Sequence, residues 1–150
     1  MDKRLNWQDY FLNIADAVGK RATCLRRSYG AIVVKDNIII STGYNGAPRG
    51  LANCSDLGIC QREVLKVPAG QRYELCSAVH AEQNAIINGE PSRMKDATIY
   101  IVGFNADGTL ASGKPCLLCR RMILNAQIKN VVYLDSDGAT VDIDPIDIKD

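Results

Sequence analysis

The chain has 150 residues, 47% of them apolar, and 18 basic against 17 acidic side chains leave a formal charge of +1. That length and composition suit one domain spanning residues 1–150 with its own core, and the lack of a basic tail or a long Lys/Arg run argues against a nucleic-acid polymer as partner. No stretch approaches the roughly 20 apolar residues of a membrane span, and the start, MDKRLNWQDYFLNIADAV, has no signal-like apolar run, so a cytoplasmic protein that acts on small molecules away from membranes is expected.

Along the chain, Leu5, Trp7, Tyr10, Phe11, Ile14, Ala17 and Val18 follow helical spacing and predict a first helix ending near Gly19. Two β-rich runs, 31–34 and 38–41, joined by Asp36 and Asn37, predict a hairpin. From 47 to 70 the composition shifts to Gly, Pro, Asn and Cys with weak periodicity, and an irregular stretch of that length inside a compact domain is functional or pinned by something. Helical spacing returns over 79–88. ATIYIVGF (97–104) then reads as a strand, and PCLLCRRMILNAQI (115–128) as a strong helix with Pro115 placed to start it. NVVYLD (130–135) is a further strand and ATVDI (139–143) a short fifth, while the acidic end, 142–150, reads as a frayed tail or an edge rather than a partner motif. This order predicts an α/β fold, one mixed sheet of about five strands with helices on its faces, because crossovers between parallel strands need a covering helix.

His80 is the only histidine, and it stands beside Glu82 where an apolar helical pattern begins. Alone, such a histidine reads as a core or cap residue. Cys116 and Cys119 lie three apart at a helix start, so both sulfurs share one face, where the helix N-terminus favours thiolate. A CxxC pair is equally compatible with redox chemistry or simple burial. Together with His80, however, two thiolates and an imidazole make a three-ligand zinc set with a fourth position open to water, whereas structural sites take all four ligands from the protein. Zinc lowers the pKa of bound water towards neutrality, and Glu82 is the nearby proton carrier such chemistry needs.

HAE at 80–82 followed by PCLLC at 115–119 matches the H-x-E then P-C-x-x-C signature of zinc nucleobase deaminases. The chain, from about Tyr29 to Leu134, thus resembles the cytidine and deoxycytidylate deaminase superfamily. That resemblance implies a three-layer α/β/α domain around a mixed sheet, with both helix starts meeting at the zinc. It also implies attack of activated water on C4 of a cytosine while Glu82 moves protons to N3 and to the departing amine. GYNGAPRG (43–50), which alone reads as a turn, is similar to a segment of deoxycytidylate deaminases, which convert dCMP to dUMP. By this resemblance Asn45 contacts the deoxyribose and Ala81 the substrate, and Gly43, Tyr44, Asn45 and Gly46 help form an allosteric nucleotide site. It further implies a homohexamer activated by dCTP and inhibited by dTTP, with Mg2+ accompanying the triphosphate. Arg26 and Arg27 are the first candidates for the substrate phosphate, with Arg49, Arg120 and Arg121 behind them.

Two features stand apart from the family pattern. GFNADGTLASGKPC inserts a long connection before the CxxC, expected to be a β-hairpin or surface excursion rather than a lid. Four cysteines also remain, Cys24, Cys54, Cys60 and Cys76, enough for a second, closed zinc site that would pin the irregular stretch. Phage relatives with a second zinc place cysteines like Cys24 and Cys54 but complete the set with other ligands. Free cysteines, however, are common core residues. Other readings of the chain are a deaminase of another nucleotide or pterin-like heterocycle, and a non-catalytic, zinc-stabilised nucleotide-binding protein.

Overall fold

The computed structural model describes residues 4–149; the first three residues and Asp150, the last of the acidic end, lie outside the described residues. Helix α1 (Trp7–Gly19) starts at Asn6, whose side chain accepts a hydrogen bond from the Asp9 amide. It buries Phe11, Leu12 and Ala15 on one stripe. Trp7 and Tyr10 stay largely exposed, with Trp7 stacked on Phe11 at 5.6 Å.

Strands β1 (Arg27–Lys35) and β2 (Ile38–Tyr44) pair antiparallel. Asp36 and Asn37 turn between them, both in left-handed backbone (φ 51° and 61°), the conformation a tight two-residue hairpin requires. Both strands run longer than their apolar centres suggest. The irregular stretch then contains two single-turn helices, α2 (Cys54–Leu57) and α3 (Gln61–Val64), and a 3-10 turn at Tyr73–Leu75. These pieces are too short for a helical period to show in sequence.

Helices α4 (Ala81–Asn88) and α5 (Pro91–Met94) lead into β3 (Thr98–Asn105), which is followed by the two-residue β4 (Leu110–Ala111). Helix α6 (Leu117–Asn125), β5 (Asn130–Leu134), β6 (Thr140–Ile143) and a 3-10 turn at Pro145–Asp147 complete the chain. The six strands form one mixed sheet, ordered β2-β1-β3-β5-β6, with β4 also paired to β3. β3 and β5 are parallel and joined through α6; every other pairing is antiparallel. The sixth strand, beyond the five expected, is β4, which makes the long connection before Cys116 a hairpin on β3.

Alternation along the strands separates two cores. Ala31, Val33, Ile99, Ile101 and Val131 pack with Ala81, Ala85 and Ile123 of α4 and α6, whereas Ile32, Val34, Val102 and Val132 pack with Phe11, Leu12 and Ala15 of α1. Helices thus cover both faces, and the three-layer α/β/α expectation holds. Over the described residues, the acidic end is an edge of the sheet rather than a frayed tail. It continues from edge strand β6 into a docked turn, with Pro145 and Ile148 buried and Arg120 donating to the carbonyls of Pro145 and Ile146 at 2.8 Å each. Its aspartates mask the apolar residues between them that anchor it.

Gly43 sets how closely α4 rests on β2. A Cβ there would stand 2.3 Å from the Ala85 nitrogen and 2.4 Å from the Ala81 carbonyl oxygen. Gly43→Ala is therefore expected to cost about 3 kcal/mol, roughly a 10 °C loss in Tm for a chain of this size, measurable by calorimetry.

Candidate active site

The N-termini of α4 and α6 meet beside the sheet. His80 caps α4, its amide donating to Gln83 Oε1 at 2.9 Å, and Cys116 occupies the cap position of α6 with Cys119 in the first turn. His80 Nδ1 lies 3.6 Å from Cys116 Sγ and 3.2 Å from Cys119 Sγ, and the three potential ligand atoms all fall within 4.8 Å of one another. A tetrahedral zinc with its usual bond lengths spaces such ligands about 3.6 Å apart. The donor set and its spacing therefore fit zinc.

The electrostatics agree with that reading. Cys116 is held down to about 4 by hydrogen bonding from Cys119, against burial and with further help from His80. Cys119, fully buried, is pushed up by sharing its proton with Cys116 and by desolvation. A bound cation would displace the thiol proton and hold both sulfurs as thiolates. The His80 imidazole is raised by its hydrogen bond with Cys116, which outweighs burial. Glu82 is only 6% exposed, and desolvation raises its carboxyl above the ordinary range although neighbouring His80 opposes the shift. A buried carboxyl shifted in this direction suits proton transfer.

His80, Glu82 and Cys116 open on a cleft of about 640 Å³, within the size range of small-molecule sites. Asn45, Ala81, Arg26 and Arg27 line it, and Arg26 Nε also pairs with Glu63 at 3.3 Å. The amide of Asn45 is already engaged: Oδ1 accepts from the Tyr29 amide at 2.8 Å, and Nδ2 donates to the Arg27 carbonyl at 2.9 Å. One lone pair and one amide hydrogen remain for a ligand. Gly46 is fixed by two backbone hydrogen bonds to Val79, and the Tyr44 carbonyl accepts from Asn84 Nδ2. The Gly43–Gly46 segment thus packs α4 and the start of β1, whatever else it binds.

Three candidate arginines lie apart from this cleft. Arg49 bonds Asn88, Arg120 holds the C-terminal turn, and Arg121 lines a smaller neighbouring cleft. The four remaining cysteines are less tightly gathered than the first three ligands. Among the described residues, His80, Cys116 and Cys119 are the one group whose ligand atoms gather within 4.8 Å. Burial raises the Cys54 thiol most, and the nearby Cys24, Cys76 and Cys60 add to that rise. The stretch is also pinned by Thr23 Oγ1 donating to Asn53, by the Ser55 amide donating to the Thr23 carbonyl, and by Arg62. Sequence reasoning missed Tyr29, Arg62 and Tyr73, which also line the cleft, as does Lys114, the residue before Pro115. The length of the irregular stretch was the one signal for Arg62 and Tyr73.

Comparison with known proteins agrees with this geometry. Residues 5–135 match the family described as the cytidine and deoxycytidylate deaminase zinc-binding region. A deoxycytidylate deaminase of Mycobacterium phage D29 is 38% identical over 135 residues, covering 87% of this chain and 95% of the relative. A deoxycytidylate deaminase of Schizosaccharomyces pombe is 35% identical over 87% of this chain, which spans 37% of that longer protein. The crystal structure of dCMP deaminase from cyanophage S-TIM5 in complex with dCMP and dUMP superposes with a TM-score of 0.60 at 25% identity, covering 88% of this chain and 83% of the phage chain.

Proposed function

The chain belongs to the cytidine and deoxycytidylate deaminase family, and we propose that its reaction is the hydrolysis of dCMP to dUMP and ammonia, which supplies dUMP for thymidylate synthesis. The observation that carries this reading is the placement of Glu82. Its buried carboxyl sits in the first turn of the helix capped by His80 and faces the cleft beside Cys116 and Cys119. A purely structural metal site has no use for a proton carrier at that position.

In this reading His80 Nδ1, Cys116 and Cys119 hold Zn2+, which when bound supplies the activated water of a hydrolytic deamination. Glu82 donates a proton to N3 as the C4 carbon accepts oxygen, then carries a second proton to the exocyclic nitrogen, which leaves as ammonia. Water provides the new carbonyl oxygen, so dCMP and water become dUMP and ammonia. Ala81 and Asn45 shape the wall that receives the base and sugar, and Arg26 and Arg27 supply positive charge for the phosphate. The substrate is supported by the names of the relatives and by the nucleotides bound in the phage structure.

Activation by dCTP with Mg2+, inhibition by dTTP and assembly as a homohexamer extend the proposal on the sequence resemblance alone. Ammonia release by zinc-loaded protein from dCMP, cytidine and dCTP, each with and without dCTP as effector, tests the whole. Turnover selective for dCMP and raised by dCTP is expected. Turnover of cytidine in preference to dCMP would overturn the substrate, and a rate indifferent to dCTP would overturn the regulation.

A further inference from the structure

Arg62 is an unusual residue to find in a segment with so little regular structure. It is 8% exposed, and its Nη2 donates to the carbonyls of Pro68 at 3.0 Å and Gln71 at 2.9 Å. Its buried Nε has no hydrogen-bond partner, and no carboxylate pairs with it among the described residues. The guanidinium lies 5.0 Å over the ring of Tyr73, which in turn meets the imidazole of His80 edge-on, centroids 5.4 Å apart at 90°. A contiguous stack therefore runs from Arg62 through Tyr73 to a metal-ligating side chain, and all three residues line the cleft.

Holding two carbonyls does not account for this arrangement. Burying a guanidinium without a counter-charge is costly, and apolar packing closes loops without that cost. The cleft repeats the imbalance, since Arg26, Arg27, Arg62 and Lys114 line it against a single carboxyl, Glu82. Among the described residues, Arg26 alone of the four cations pairs with a carboxylate, that of Glu63, which is itself largely exposed. A neutral ligand would leave that excess charge unanswered.

We propose that Arg62 determines specificity for the phosphorylated substrate: its charge is complemented by the phosphate of a nucleoside monophosphate, and its stack on Tyr73 holds that ring as a wall of the base pocket. The inference rests on the substrate reading above and adds to it a residue from the irregular stretch. Arg62 acts through the cleft wall and need not touch the phosphate, because the attraction between charges persists over several ångströms in a partly desolvated site. Tyr73 is the contact residue and Arg62 the residue that positions it.

The test is equilibrium binding of dUMP and of deoxyuridine to zinc-loaded protein, together with Tm, for the native chain, Arg62→Gln, Arg62→Lys and Tyr73→Leu. The native protein is expected to prefer dUMP strongly. Arg62→Gln should weaken both ligands somewhat by loosening the Tyr73 ring, and dUMP by about a further tenfold or more. Arg62→Lys, which keeps the charge and loses the planar fork, should retain most of the preference. Tyr73→Leu should weaken both ligands alike. Equal weakening of both ligands by Arg62→Gln, or an unchanged preference with a lower Tm, would reduce Arg62 to a loop staple and overturn the inference. If Arg62→Gln does not fold, a folded Arg62→Lys that loses the preference overturns it equally. A native protein that binds deoxyuridine as well as dUMP would instead defeat the monophosphate reading itself, before any variant is considered.

Discussion

Glu82→Gln is expected to retain a full complement of zinc and to lose turnover by on the order of 10³- to 10⁴-fold, the scale of a positioned acid–base group. Glutamine preserves the shape of the side chain, and the carboxyl is not one of the three clustered ligand atoms. What the substitution removes is a transferable proton. Burial raises the carboxyl above its ordinary range, and the native side chain can both take up and release a proton, which an amide cannot do. Elemental analysis and ammonia release on the same preparation separate the two effects. A variant with near-native rate and full zinc would remove Glu82 from the mechanism. Loss of zinc in parallel with rate would assign it to the metal site instead.

Cys119→Ser is expected to weaken zinc by more than about 100-fold, since loss of even an outer-shell partner commonly costs 10- to 100-fold. Cys119 is fully buried in the first turn of α6, 3.2 Å from His80 Nδ1, and hydroxyl oxygen is a poor substitute for thiolate. Because a ligand that binds only the folded state stabilises it, the variant should also lose the part of Tm that zinc restores to the native chain. Competition with a graded series of chelators reads the affinity directly. Retention of native zinc affinity by the serine variant would exclude Cys119 as a ligand.

The elements visible in the sequence were those whose cause is local. Asp36 and Asn37 carry the turn chemistry of the first hairpin, and the apolar runs of β3 and β5 reflect burial on both faces. The CxxC spacing similarly announces two sulfurs on one helical face. That they meet His80, 36 residues upstream of Cys116, depends on where the sheet puts the starts of α4 and α6. Here the family signature supplied what periodicity could not. Counting leftover cysteines says less, because a count carries no directions: Cys54 starts α2 and Cys60 caps α3, two separate single turns. Arg120 misled because its fork is spent on backbone carbonyls of the C-terminal turn. Arg62 and Tyr73 lie in chain with no period to read, and only the folded segment reveals their stack.

The cleft draws its walls from two kinds of chain. His80, Glu82 and Cys116 stand on helix ends seated against the sheet, whereas Arg62 and Tyr73 come from the stretch between Gly46 and Val79, which is closed at its base by two backbone hydrogen bonds. Such a closed excursion can be lengthened, shortened or rewritten without moving the strands that flank it. A lineage built on this plan can trade one substrate for another while inheriting its catalyst intact, and the same seam is where a designer seeking a new specificity would begin.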